Sequence, residues 1–143
     1  MECEFPSVNS NKEEIKEIFD SIKTIAVLGL SPDETKASHR VAKYLKSVGY
    51  TIIPVYPKEE TILGEKVYRS LAEIPIGVDM VNIFRKPKAL DAVADACIAR
   101  GDVKVFWAQQ GIVNNAAAQR AKDAGMMAVQ NMCSMVEHKA LQG

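Results

Sequence analysis

Several protein classes are excluded by what this sequence lacks. No apolar run approaches the ~20 residues needed to cross a bilayer. The opening residues, Met1-Glu2-Cys3-Glu4-Phe5-Pro6, are acidic and lack the basic-then-apolar order of a signal peptide. There are only three cysteines, Cys3, Cys97 and Cys133, far apart and odd in number. With no CxxC and no Cys/His cluster, neither a disulfide framework nor a zinc site is expected. Free thiols in a reducing cytoplasm are the expectation. Eighteen basic and eighteen acidic side chains cancel, and no basic stripe argues for nucleic acid. There is no Walker loop, no H-E-x-x-H, no Ser/His/Asp order and no carboxylate pair with an obvious partner. No catalytic residue and no metal ligand is therefore assigned.

What remains is a chain of 143 residues, enough for one core. Residues 1–9 read as an N-terminal arm and 10–143 as the domain. Ile15, Ile18, Phe19 and Ile22 recur at helical spacing, with Ser10 as the candidate cap. Thr24 to Leu28 is an apolar strand ending at Gly29. Val41, Tyr44, Leu45 and Val48 mark a helix stopped by Gly49. Thr51 to Val55 is a second strand, with Pro54 expected at its end. Residues 56–77 read mostly as loop, with a short helical turn from Ser70. Val78 to Phe84 is a third strand. A helix follows whose buried stripe is Leu90, Val93, Ala94, Cys97 and Ile98. Val103 to Trp107 is a fourth strand. A helix over residues 114–124 turns Ala117, Ala121 and Ala124 inward. Met126 to Val129 is a fifth strand, and a short helix covers Ser134 to Leu141.

Strands alternating with helices imply parallel strands joined by right-handed crossovers. The expected fold is α/β, a three-layer Rossmann-like domain with a five-stranded parallel sheet and helices on both faces. Ligands of such sheets bind beyond the carboxyl ends of the strands. The first turn, Gly29-Leu30-Ser31, is the leading site. Gly29 permits a sharp turn, Ser31 offers a hydroxyl and a backbone donor, and the next helix aims free N–H groups at the same place. Lys36, Ser38 and Arg40 lie around that helix start, where cations are better placed with an anion between them. A solvated basic surface is the competing reading.

The turn lacks the glycines of the dinucleotide fingerprint. The second strand ends in Tyr56-Pro57-Lys58 rather than the acidic residue that holds the ribose of NAD. Lys58 points towards an extra phosphate, which both coenzyme A and NADP carry. At the other strand ends stand Phe84-Arg85 and Trp107-Ala108-Gln109-Gln110-Gly111. Trp107 is read as core or ligand contact. Arg85 needs a ligand phosphate or a carboxylate such as Asp79. His39 is read as structural or phosphate-facing, and His138 as a cation near the end of the last helix. Cys133 follows the fifth strand and is read as a small packed residue, or as a thiol facing the site.

These strand-end segments, in order, resemble the small bacterial and archaeal CoA-binding proteins. The resemblance rests on Val27-Leu28-Gly29-Leu30-Ser31-Pro32, Ser38, Val41, Tyr44-Leu45, Gly49-Tyr50 and Pro54-Val55-Tyr56-Pro57. It continues through Ile62-Leu63-Gly64, Tyr68-Arg69-Ser70-Leu71, Asp79, Phe84-Arg85, Trp107 to Gly111 and Cys133, over about residues 20–137. That family's fold is similar to the CoA-binding domain of the succinyl-CoA synthetase α chain. The resemblance implies coenzyme A or an acyl-CoA across the strand ends, with phosphates at Gly29-Leu30-Ser31 and charge from Lys36 and Arg40. It places the adenosine end against Pro54, Val55 and Tyr56, with Lys58 near a phosphate. Phe84, Arg85, Trp107, Gln109 and Gly111 border the rest. Members of the family more often carry Arg at 36, Asn at 56 and Asp-Arg at 131–132. Binding without evident catalysis is the first expectation. An NADP-dependent oxidoreductase and a CoA-binding subunit acting with a protein partner are the alternatives.

Overall fold

The structure is a computed structural model that describes residues 5–142. Cys3 and most of the expected arm's first half lie outside the described residues. Residues 8–10 lie beside the last strand, where Asn9 and Val8 bond Gln130 and the Ser10 hydroxyl donates to the Ala128 carbonyl, and residues 5–7 run on to Asn115. Asn115 ties this segment to the fold through Ser7 N–H (2.9 Å) and the Phe5 carbonyl (2.7 Å). The Gln130 side chain donates to the Val8 carbonyl at 2.9 Å.

In chain order the elements are α1 (Lys12–Ser21), β1 (Thr24–Leu28), α2 (Ala37–Ser47), β2 (Thr51–Val55), β3 (Thr61–Ile62) and β4 (Glu65–Lys66). They continue with β5 (Met80–Ile83), α3 (Leu90–Arg100), β6 (Val105–Ala108), α4 (Asn115–Asp123), β7 (Met127–Val129) and α5 (Ser134–Gln142). The expected five strands are β1, β2, β5, β6 and β7. They form one parallel sheet in the order β2-β1-β5-β6-β7. The fold is a three-layer α/β domain of Rossmann-like build.

Strand alternation divides the core. Ala26, Leu28, Val81, Ile83 and Phe106 face one side, with Leu90, Ala94, Ala117 and Ala121 of α3 and α4. Ile25, Val27, Met80, Val105 and Trp107 face the other, with Ile18, Phe19, Val41 and Leu45 of α1 and α2. Helix α5 packs against α1 and α2 on that second side.

Local chemistry moved several boundaries. Helix α1 is capped by Asn11, not Ser10. The Asn11 side chain accepts from Glu14 N–H, and the Glu14 carboxylate accepts from Asn11 N–H, both at 2.8 Å. The Ser10 hydroxyl instead donates to the Ala128 carbonyl. The third strand's ladder starts at Met80 rather than Val78. Asp102 takes the Val78 N–H, and the Asp79 carboxylate takes the N–H groups of Lys23 and Thr24. Side chains thus join the backbone at that end of the sheet, where Asp79 N–H still donates to the Thr24 carbonyl at 3.0 Å and Val105 N–H to the Asp79 carbonyl at 3.0 Å.

Val48, Ile98 and Ala124 are exposed rather than buried. Val48 and Ala124 stand at helix C-caps, past the last full turn. Pro54 is one residue short of the strand end. The Pro54 carbonyl accepts from Tyr68 N–H at 3.0 Å on the outer edge of β2. Its ring nitrogen faces the same way, so the missing donor costs no ladder bond. The β3–β4 hairpin lies in the stretch read as loop. Leu63 and Gly64 both have positive φ (56° and 75°), the geometry of a two-residue primed turn.

Candidate functional site

After β1 the chain crosses to β2 on one side of it, and then to β5 on the other. The switch point therefore lies between the carboxyl ends of β1 and β5. Three segments meet there. Gly29 N–H donates to the Val55 carbonyl, and Phe84 N–H to the Leu28 carbonyl, both at 2.9 Å. Gly29 has φ 83°, and a Cβ on it would lie 2.5 Å from the Phe84 carbonyl oxygen. No side chain fits at this position, and the backbone there is left open to an incoming group.

The loop from 31 to 36 is internally bonded. Ser31 N–H donates to the Ser38 hydroxyl, and Asp33 N–H to the Ser31 hydroxyl, both at 3.0 Å. Buried His39 bonds the Ser31 carbonyl through Nδ1 at 2.9 Å. A carbonyl only accepts, so that nitrogen carries a proton. His39 is thereby a loop-positioning residue. The Thr35 hydroxyl and N–H both bind one Asp33 oxygen (2.7 and 2.9 Å). The hydroxyl bond is the chief cause holding the Asp33 carboxyl below its ordinary value. The Arg40 guanidinium donates to the Thr35 carbonyl.

Lys36 starts α2 without a side-chain cap, and the first turn of α2 holds no acidic residue. Lys36, Lys58 and Arg85 are exposed. The ion pairs among the described residues are Lys16–Asp20, Lys46–Glu65, Arg100–Asp102, Lys104–Asp79 and Arg120 with Asp91 and Asp95. None involves these three cations. Arg85 is not paired with Asp79, which sits at the opposite end of the sheet on Lys104 and the N–H groups of Lys23 and Thr24. The segment carrying Lys58 is held by Arg69, whose guanidinium donates to the carbonyls of Tyr56 (3.0 Å) and Lys58 (2.8 Å).

A CoA binding domain model matches residues 23–139. This chain belongs to the CoA-binding domain family. The uncharacterized protein YneT of Bacillus subtilis is 44% identical over 130 residues, which cover 91% of this chain and 96% of that protein. A hypothetical protein from Pyrococcus horikoshii has a solved structure that superposes with a TM-score of 0.90, at 38% identity over the whole of both chains. An ADP-forming acetate–CoA ligase of Archaeoglobus fulgidus is 35% identical over 82 residues, 57% of this chain but 12% of that enzyme.

In this CoA-binding domain the sequence-expected residues divide into two groups. Gly29, Ser31, Lys36, Arg40, Tyr56, Lys58, Phe84, Arg85 and Gly111 retain exposed surface. Leu30, Ser38, Pro54, Val55, Trp107 and Gln109 are buried. Trp107 is a core residue: it has no exposed surface, its Nε1 donates to the Met132 carbonyl at 2.8 Å, and its ring lies 5.4 Å from that of Phe19. Gln109 is turned inward. Its Oε1 accepts from the N–H (3.1 Å) and hydroxyl (2.8 Å) of Ser134. Gly111 N–H donates to the Asn131 side chain at 2.7 Å. His138 is not a terminal cation but sits mid-helix, buried, and burial pushes its pKa down.

Asn82 was missed by the sequence reading. It is wholly buried in β5, its amide donates to the Ser134 hydroxyl at 3.0 Å, and its Oδ1 has no partner. The available signal was a lone amide inside the apolar run from Val78 to Phe84. No helix among the described residues is long and apolar enough to cross a membrane.

Proposed function

We propose that this chain binds coenzyme A or an acyl-CoA at the carboxyl edge of its sheet, with the phosphates over Gly29-Leu30-Ser31. The observation that carries this reading is the bare backbone at Gly29, pressed against the Phe84 carbonyl at the switch point. Lys36, Lys58 and Arg85, on the segments that follow β1, β2 and β5, have no ion-pair partners among the described residues. Coenzyme A brings a diphosphate and a 3′-phosphate, enough negative charge for all three. Burial of Leu30, Pro54, Val55, Trp107 and Gln109 narrows the contacts. From these positions the ligand meets backbone, while Ser31, Lys36, Arg40, Tyr56, Lys58, Phe84 and Arg85 offer side chains.

The chain works in the cytoplasm, where its thiols stay reduced, and it holds its ligand without a reaction of its own. A protein partner that uses the bound CoA is the companion reading. The ligase relative supports it, because its matching segment is a small part of a longer enzyme. Native mass spectrometry of the purified chain tests the assignment. Coenzyme A or an acyl-CoA carried through purification is the expected mass shift, and a co-purifying NADP would overturn it.

A further inference from the structure

Lys58 stands on an exposed segment whose backbone is fixed from both ends. Tyr56 N–H donates to the Tyr68 carbonyl at 3.0 Å, and Val67 N–H to the Glu60 carbonyl at 2.9 Å. Between those two bonds the Arg69 guanidinium holds the middle. Its Nη1 donates to both the Tyr56 carbonyl (3.0 Å) and the Lys58 carbonyl (2.8 Å). Two carbonyls thus converge on one nitrogen from either side of Pro57, whose ring fixes φ. Glu59, the next residue after Lys58, has φ 69°, a left-handed conformation without glycine. Such a residue persists only where its surroundings hold it.

The strip that carries Arg69 is itself anchored. Tyr68 bridges to Val55 on the outer edge of β2, and its N–H donates to the Pro54 carbonyl at 3.0 Å. The β3–β4 hairpin leads into this strip. Lys46 of α2 ties the hairpin down through the Leu63 carbonyl and the Glu65 carboxylate. Arg69 is exposed and takes part in none of the ion pairs among the described residues. In the sheet Val55 lies beside Leu28, so the segment bearing Lys58 starts level with Gly29. A nucleotide with its phosphates over the first turn presents its ribose to the end of the second strand.

We propose that Arg69 is a positioning residue: by bracing the carbonyls on both sides of Pro57 it presents Lys58 to the phosphate on the ligand's ribose, and so sets the preference for coenzyme A over the same molecule without its 3′-phosphate. This rests on the CoA reading of the site. A lysine is a point charge on a flexible stem. Fixing the backbone beneath it removes part of the ordering cost that binding would otherwise meet. Arg69 acts through that backbone and does not itself touch the phosphate. A charged donor suits the task, because its bonds to carbonyls are stronger than those of a neutral amide.

The test is calorimetric titration of the full chain and its variants with coenzyme A and with dephospho-coenzyme A. The parent should bind coenzyme A at least tenfold more tightly. Arg69→Gln should narrow that ratio at least threefold, and Arg69→Lys, which keeps a charged donor, should restore part of it. On a Lys58→Ala background, Arg69→Gln should leave the ratio where Lys58→Ala alone puts it. An equal loss for both ligands would make Arg69 a brace of the fold only. An unchanged ratio would remove it from recognition, and a further narrowing on the Lys58→Ala background would put it on the phosphate directly. Each of these overturns the proposal, as does a parent that binds both ligands equally, and all four leave the CoA reading standing. A parent that binds neither ligand defeats that reading and the proposal together.

Discussion

Gly29 and Phe84 are in backbone contact at the switch point, so close that a Cβ on Gly29 would stand 2.5 Å from the Phe84 carbonyl oxygen. The glycine is also left-handed, at φ 83°. Gly29→Ala therefore meets two penalties, roughly 1–2 kcal/mol for the conformation and a further cost for parting β1 from β5. Urea unfolding of the variant should show a loss of at least ~1 kcal/mol. Its affinity for CoA should fall as well, because the displaced strand end is the proposed phosphate seat.

The exposed cations should behave in the opposite way. Lys36→Ala, Lys58→Ala and Arg85→Ala remove exposed side chains with no ion pair among the described residues, so stability should change by less than ~0.5 kcal/mol each. CoA affinity should fall by about 1–3 kcal/mol for any cation in a charge-assisted bond with a phosphate. Titration at rising salt checks the cause, since screening should shrink the difference between variant and parent. Arg40 is a poorer probe, because it also braces Thr35.

Gln109→Leu should detach the start of α5. It leaves the Ser134 N–H and hydroxyl without their acceptor in a buried place. The expected loss is about 1–3 kcal/mol. Hydrogen exchange should then show faster opening of the first turn of α5.

Acid should act in two separate windows. Burial holds the folded pKa of His138 below its ordinary 6.5. The ring packs among Phe19, Tyr44 and Tyr50, with the Tyr44 hydroxyl 2.7 Å from its Nδ1. Above about pH 6.5 the ring is neutral folded and unfolded, and its titration does not affect stability. Below it the unfolded chain takes the proton first, so stability falls by at most about 1.4 kcal/mol per pH unit until the folded pKa is reached. Asp33 and Asp102 have lowered folded values, chiefly through the Thr35 hydroxyl and the Arg100 guanidinium. Their contribution is present above the ordinary carboxylate value of 3.8 and is lost as pH falls through the folded values. Melting curves across pH 7 to 5 should show the first step, and His138→Phe should flatten it.

Apolar strands and helices with one apolar stripe were legible because burial leaves a plain pattern. The five parallel strands and α1 to α5 follow from it. The β3–β4 hairpin was hidden because its strands are two residues long and its turn is Leu63-Gly64 rather than an asparagine–glycine pair. At the site, Gly29 was readable from the strand-to-turn change, and Lys36 and Lys58 from charge. The inward turn of Trp107 and Gln109 was not. Each lies in or just beyond β6, and only tertiary contacts with Met132 and Ser134 decide which way it points. Asn82 and Ser134 are 52 residues apart, so nothing local announced their bond.

The most direct test of the central claim is calorimetric titration of the full chain with coenzyme A and with NADP, side by side in one buffer. One CoA per chain at micromolar affinity is the expected result, with NADP at least tenfold weaker. Tighter binding of NADP, or no heat from CoA, would contradict it.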